Sequence, residues 1–284
     1  MSTIEKALNR LAGGTPQAPA PRPPMSGKSQ QPAVELDDPD ALRIDRDMLF
    51  SAGMLVPGMG RSLIAEEFRH IKRPLLSNVL GTDGNSIPNA NLIMVTSALP
   101  GEGKTFSSVN LAISIAMEMD HTCLLVDADV ARPSVMRTLG VYRPEAKGLV
   151  DYLSDERLHL SELLLKTDIP KLTVLPSGRG DVHATELLAS ESMRRLVQEL
   201  SVRYHDRIVI FDSPPLLATS ESRVLASLVG QIVVVVEAEK TQQAVFQQAM
   251  SLLDQNKYIG LVLNKDRRVR QTDYYYGYGV SDKK

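Results

Sequence analysis

Leu92-Ile93-Met94-Val95-Thr96-Ser97-Ala98-Leu99-Pro100-Gly101-Glu102-Gly103-Lys104-Thr105-Phe106 runs from an apolar segment through a glycine-bearing turn into the opening of a helix. Residues 98–105 have the phosphate-loop spacing G-x-x-x-x-G-K-[ST], with Ala98 in place of the first glycine. The chemistry survives that change. Gly101 and Gly103 let backbone N–H groups turn inward onto phosphate oxygens. Lys104 brings a positive charge to the β- and γ-phosphates, and the Thr105 hydroxyl suits Mg²⁺. The helix that follows directs its positive end at the anion. Pro100, Gly101, Glu102, Gly103, Lys104, Thr105 and Phe106 are therefore the expected nucleotide contacts.

Outward from this stretch the pattern repeats. The apolar runs Leu92–Thr96, Cys123–Val126, Leu172–Leu175, Ile208–Phe211, Ile232–Val236 and Ile259–Leu263 are short, rich in Val, Ile and Leu, and not alternating. Such runs mark strands buried on both faces, hence a mostly parallel sheet. Helical patterns lie between several of them, at Lys104–Met119, Ser190–Tyr204, Ser222–Val229 and Thr241–Gln255. The fold expected is α/β, a doubly wound, mostly parallel sheet. Ligands of such sheets bind beyond the carboxyl ends of the strands, where the motifs below also lie.

The second strand ends Val126-Asp127-Ala128-Asp129, followed by Arg132-Pro133. Two carboxylates two residues apart point the same way if the strand geometry persists. They suit a hydrated Mg²⁺, or one of them suits an attacking hydroxyl's proton. A polar turn with an Asp helix cap is the plainer reading, and the adjacent phosphate loop weighs against it. The fourth strand ends in Asp212-Ser213-Pro214-Pro215, an aspartate placed to bind Mg²⁺ directly or through water. The last strand ends in Asn264, whose carboxamide suits a nucleotide base, although a simple turn residue is an equal reading. The guanine-reading pattern N-K-x-D fails at Arg267, so adenine is favoured and ATP is the expected nucleotide.

Bulk properties narrow the classes further. Among 284 residues the net charge is −2, which gives no general nucleic-acid footprint. Cys123 is the one cysteine, so neither a disulfide framework nor a cysteine-built metal site is expected within the chain. No segment approaches the ~18 apolar residues of a membrane span, so the chain reads as cytoplasmic, without direct membrane insertion. Residues 1–14 carry a short amphipathic helical pattern, with Ser2 and Glu5 at capping-box spacing. Residues 15–45 form a proline-rich linker, with seven prolines between Thr15 and Asp40. Residues 46–90 lead into the core with a helix over Ser62–Leu76, in which Glu66, Arg69 and Lys72 recur every third residue along one side. The core spans 91–264, and the tail, 265–284, holds Tyr274, Tyr275, Tyr276 and Tyr278.

P-G-E-G-K-T, V-D-A-D-x-x-R-P and F-D-S-P-P-L, in this order, resemble the bacterial tyrosine kinases of capsule and exopolysaccharide export, which share the P-loop fold of the MinD and ParA ATPases. The similarity runs from about Arg61 to the C-terminus and includes Gly148–Leu153, Glu186-Leu187-Leu188 and Gly260–Asn264. The N-terminal Ser-Thr-Ile-Glu-Lys-Ala-Leu-x-Arg-Leu and the prolines after it look most like the exosortase-associated autokinase branch. The resemblance implies an ATP- and Mg²⁺-dependent tyrosine autokinase whose substrate is the cluster at Tyr274, Tyr275, Tyr276 and Tyr278. It implies ring-like homo-oligomers assembled through an E-x-x-R-x-x-R helix, here Glu66, Arg69 and Lys72, with phosphorylation in trans. A transmembrane chain-length protein would recruit and activate the kinase at the inner face of the membrane.

In that frame Lys104 stabilises the transferring group, Thr105, Asp129 and Asp212 hold the metal, and Asp127 is the base, with Asp127 and Asp129 exchangeable. A partitioning-type ATPase without kinase activity and a nucleotide-dependent scaffold are the competing functions. Against the ATPase, Ser97-Ala98-Leu99 lacks the extra lysine of that class.

Overall fold

The computed structural model describes residues 41–60, 62–81, 87–180, 184–203 and 207–267. The N-terminal helical pattern, most of the proline-rich linker and all four tail tyrosines lie outside them. The strands are β1 (Leu92–Ser97), β2 (Thr122–Asp127), β3 (Leu165–Lys166), β4 (Leu172–Leu175), β5 (Arg207–Asp212), β6 (Gln231–Glu237) and β7 (Tyr258–Asn264). The helices are α1 (Arg46–Ser51), α2 (Leu63–Leu80), α3 (Lys104–Ala116), α4 (Val135–Thr138), α5 (Leu149–Ser154), α6 (Leu160–Leu163), α7 (Ala184–Leu188), α8 (Glu191–Arg203), α9 (Glu221–Leu228) and α10 (Gln243–Met250).

The strands form one sheet in the order β3-β4-β2-β5-β1-β6-β7, parallel throughout except for the antiparallel pair β3–β4. β1, which carries the phosphate loop, lies between β5 and β6, and β2 lies on the far side of β5. The carboxyl ends of β1, β2 and β5 thus open onto one region, as a doubly wound sheet requires.

Residues of one strand serve two cores because successive side chains point to opposite faces. Ile93, Val95, Leu125, Ile208, Ile210 and Val233 pack with Val109 and Ile113 of α3 and with Phe68 and Leu75 of α2. Leu92, Met94, Leu124, Val209, Phe211 and Ile232 pack on the other face with Met193 and Leu196 of α8 and Leu225 of α9. Fully burying each such side chain contributes roughly 1.5–3 kcal/mol.

Three sequence expectations change. β7 is not buried on both faces: it is an edge strand, and Leu261 and Leu263 are 57% and 53% exposed. α2 continues through Pro74 to Leu80, where Gly81 caps it in a left-handed conformation (φ 63°). Its Ser62 side chain accepts from the Ala65 N–H, closing the other end. Finally, residues 41–45, expected as linker, contribute Leu42 and Ile44 to the core. Leu42 is buried, its N–H donates to the Lys166 carbonyl, and its own carbonyl accepts from the Asp168 N–H, covering the edge at β3. Among the described residues, no helix is long and apolar enough to cross a membrane.

Candidate active site

The phosphate loop takes its shape from backbone that only glycine adopts freely. Gly101 has φ 88° and Gly103 has φ 100°. A Cβ on Gly103 would lie 1.9 Å from Asn264 Nδ2, so the position excludes any larger residue on two grounds.

Beyond the loop, the charged groups engage one another. Lys104 Nζ lies 2.6 Å from Asp129 Oδ2, and Asp129 Oδ1 accepts from the Arg132 N–H at 3.2 Å. The Thr105 hydroxyl donates to Asp212 Oδ2 at 2.7 Å and lies 2.8 Å from Ser134 Oγ. Ser108 Oγ donates to Asp212 Oδ1 at 3.0 Å. A one-turn spacing on α3 therefore delivers both hydroxyls to one carboxylate.

β2 and β5 end in register. Asp127 pairs with Asp212, and the Ala128 N–H donates to the Asp212 carbonyl at 2.8 Å. Asp127 Oδ2 accepts from the N–H groups of Ser134 and Val135, both at 3.0 Å, while Oδ1 has no hydrogen-bond partner among the described residues. Burial, with Asp212 beside it, pushes the Asp127 carboxyl up to about 8. Burial raises Asp212 to about 6, with the Lys104 ammonium opposing the rise. Asp127 and Asp129 thus do not act as a matched pair. One is turned to backbone donors beneath the site and the other to Lys104.

A cavity of about 540 Å³ opens above these groups. Pro100, Gly101, Gly103, Lys104, Thr105 and Phe106 form one wall, and Asp129, Arg132, Ser134 and Arg137 stand on another. Neither Arg132 nor Arg137 has an ion-pair partner among the described residues. Asp127 and Asp212 are not on the cavity wall; both are enclosed beneath it, 1% and 0% exposed.

Mg²⁺ takes hard oxygen ligands and needs only one or two carboxylates beside phosphate and water. The Thr105 hydroxyl, Asp129, Asp212 and the unpartnered oxygen of Asp127 supply that chemistry. Among the described residues there is no group of three or more His, Cys, Asp or Glu side chains able to form a metal cage unaided.

Other predicted site residues lie elsewhere. The Glu102 side chain faces inward, 2% exposed, accepting from the Leu99 N–H at 2.7 Å and from the Thr241 hydroxyl. Asn264 is not on the cavity wall; it sits behind the loop and donates to the Glu102 carbonyl at 2.9 Å. Glu66 and Arg69 pair with each other on α2, but Lys72 does not share their face. It is buried, with Nζ 2.7 Å from the Ser114 carbonyl and paired to Glu118. A lysine three residues on from Arg69 reads as surface, yet here its stem crosses the α2–α3 contact. Sequence reasoning missed Ser108, Ser134, Arg137, Thr241 and Lys265. Ser108 alone was signalled, one turn beyond Lys104.

A family model described as an AAA domain matches residues 90–264. The tyrosine-protein kinase CpsD of Streptococcus agalactiae is 32% identical over 196 residues, covering 68% of this chain and 83% of that one. The crystal structure of the VpsO kinase domain is 30% identical with a TM-score of 0.55, covering 69% of this chain and 98% of that one. The septum site-determining protein MinD of Pyrococcus horikoshii, solved with Mg-ADP, shares the fold at 22% identity and a TM-score of 0.53, covering 63% of this chain and 72% of that one.

Proposed function

Because the chain belongs to the AAA domain family, and within it to the bacterial tyrosine-protein kinases, we propose that it transfers the γ-phosphoryl group of Mg²⁺-ATP to the tyrosine cluster of its own C-terminal tail. The observation that carries this reading is the convergence of Lys104, Thr105 and Asp129 on one cavity, with Asp212 enclosed beneath it and bonded to the Thr105 hydroxyl, from the ends of three different strands.

Backbone N–H groups of residues 101–105 and the Lys104 ammonium receive the phosphates and stabilise the charge that spreads over the transferring group. Thr105, Asp129 and Asp212 would hold Mg²⁺, which would supply neutralisation of the phosphate charge. Asp127 accepts the proton of the incoming tyrosine hydroxyl. Its free Oδ1 is the support for this role, while Ser134 and Val135 fix the other oxygen. ADP leaves, and the phosphoryl group stays on the tyrosine oxygen.

The tail that receives it belongs to a neighbouring subunit. The 20 residues after Asn264 reach ~60 Å when extended, enough to enter another copy's cavity. Ring-like assembly through the face bearing Glu66 and Arg69, activation by a transmembrane chain-length protein, and control of exopolysaccharide polymerisation and export follow from the family resemblance. Phosphates added next to Asp273 repel one another and loosen the assembly.

The test is incubation of the full chain with Mg²⁺-ATP, with and without the activator's cytoplasmic segment, and location of phosphate by mass spectrometry. Phosphotyrosine at Tyr274, Tyr275, Tyr276 or Tyr278 that Lys104→Ala abolishes is the expected result. Bound nucleotide with phosphate release, and no modified tyrosine in either condition, would replace the autokinase by an ATPase switch.

A further inference from the structure

Behind the phosphate loop, away from the cavity, lies a second set of polar contacts that the transfer reaction does not use. Glu102 is the one loop residue whose carboxylate points inward. One of its oxygens accepts from the Leu99 N–H within the loop, and the other accepts from the Thr241 hydroxyl beyond the end of β6. That hydroxyl also accepts from the Glu237 N–H at 3.2 Å, so it closes the turn that leaves β6. Asn264, the last residue of β7, donates to the Glu102 carbonyl and packs directly against Gly103. Lys265 donates to the Gly101 carbonyl at 2.6 Å and pairs with Glu237 at 3.2 Å. Two successive residues of one strand end therefore hold the carbonyls of two successive loop residues.

The backbone carries a matching sign of constraint. Lys265 has φ 60°, a left-handed conformation that costs a non-glycine residue energy and persists where the surroundings over-determine it. Its side chain is held at both ends of the contact, by Gly101 and by Glu237.

We propose that Glu102, Thr241, Asn264 and Lys265 are positioning residues that brace the phosphate loop from the ends of β6 and β7. With its carbonyls tied back by Asn264 and Lys265, the loop keeps its N–H groups turned to the phosphates. Lys265 also begins the tail, and Tyr274 follows it by nine residues. The shape of the nucleotide loop and the departure point of the acceptor segment are therefore set by the same side chain. That second half rests on the autokinase reading; the brace itself does not.

The test uses the full chain with Thr241→Val, Thr241→Ser and Lys265→Gln. Valine keeps the shape of threonine and removes the hydroxyl. Thr241→Val should weaken ADP binding, measured with Mg²⁺ present, by about tenfold, the loss expected for one hydrogen bond to a charged group. The KM for ATP should rise in step, while kcat at saturation stays within about twofold, and Thr241→Ser should restore both. A general loosening of the fold would not be rescued by serine. Affinity like the parent's in Thr241→Val, or a serine variant as weak as valine, would overturn the brace. Should Thr241→Val fail to fold, Lys265→Gln decides: Lys265 is exposed, and unchanged ADP affinity in that variant would equally overturn it.

Lys265→Gln should also slow tail phosphorylation at saturating ATP, and an unchanged saturated rate would remove the link to the tail. A parent protein that binds ADP but never modifies its tail would count against the autokinase alone, because the binding ratios still judge the brace.

Discussion

Asp127 and Asp212 face each other as register partners at the ends of β2 and β5, both enclosed, with hydrogen-bond donors arranged unequally between them. Asp212 receives hydroxyls on both oxygens, and Asp127 receives backbone N–H groups on one. The pair is therefore asymmetric by construction. The charge with hydrogen-bond donors on both oxygens belongs to the metal-side carboxylate, and the proton stays longest on Asp127.

That asymmetry gives a pH dependence with a definite sign. The Asp127 carboxyl is raised from 3.8 to about 8 in the folded chain. A raised acid binds its proton more tightly when folded, so the stability it contributes is present below its unfolded value and is lost as pH rises through the folded one. Without nucleotide, the melting temperature should fall between pH 5 and pH 8.5 more steeply for the parent than for Asp127→Asn. The variant should gain at least ~2–4 °C at the upper pH, the shift that roughly 1 kcal/mol produces in a domain of this size. Parallel melting curves across that range would remove Asp127 as the titrating group.

Lys104→Met should reduce tyrosine phosphorylation by about 100-fold or more, the usual loss for one charge-stabilising donor in a closed site. The fold should persist, because Asp129 keeps its second contact with the Arg132 N–H. Phosphosite occupancy against time, with a melting curve as control, reads both effects.

Metal removal should act through Asp212. Chelation with EDTA should abolish transfer and excess Mg²⁺ should restore it. Asp212→Asn should raise the Mg²⁺ concentration for half-maximal rate by at least roughly tenfold, since neutral Asn still accepts from Thr105 but brings no charge. An Asp212→Asn enzyme with the parent's Mg²⁺ requirement would exclude Asp212 from the metal site.

Phe68→Ala tests how far α2 supports the catalytic helix. Phe68 is buried and meets Phe106, one residue past Thr105, with ring centroids 6.4 Å apart. Truncation should cost about 3–5 kcal/mol and lower the melting temperature by roughly 6–20 °C. A change under ~2 °C would mean that α2 is dispensable to the core.

The sheet was legible because its strands are continuous apolar runs, and continuous runs are how doubly buried strands read. Leu172–Leu175 is the β4 span itself, and β1, β2, β5, β6 and β7 extend their runs by one residue at one or both ends. The same rule misjudged β7. Leu261 and Val262 look alike in sequence, and only the position at the sheet edge exposes one of them. β3 is two residues long and carries no pattern to find. In the site, Lys104, Thr105, Asp127, Asp129 and Asp212 were readable because phosphate chemistry fixes their spacing. Asn264 was readable as a polar strand end but not as a support for Gly103, since a carboxamide fits both. Thr241 and Lys265 reach the loop only through tertiary packing, from 136 and 160 residues beyond Thr105. Lys72 defied its residue type by spending its charge inside the molecule.

The strand order also dictates a sequence of events as the chain is made. β2 and β4 pair within a short stretch, Cys123 with Leu172, and can join early. β1 has no such neighbour. Its partners begin at Arg207 and Gln231, more than a hundred residues downstream, so the strand bearing the phosphate loop emerges first and is flanked only late. A nascent or truncated chain that stops before β5 possesses every residue of the loop but neither the strands that flank β1 nor the contacts from Asp212, Thr241, Asn264 and Lys265. Nucleotide capture is thereby deferred until those strands are made.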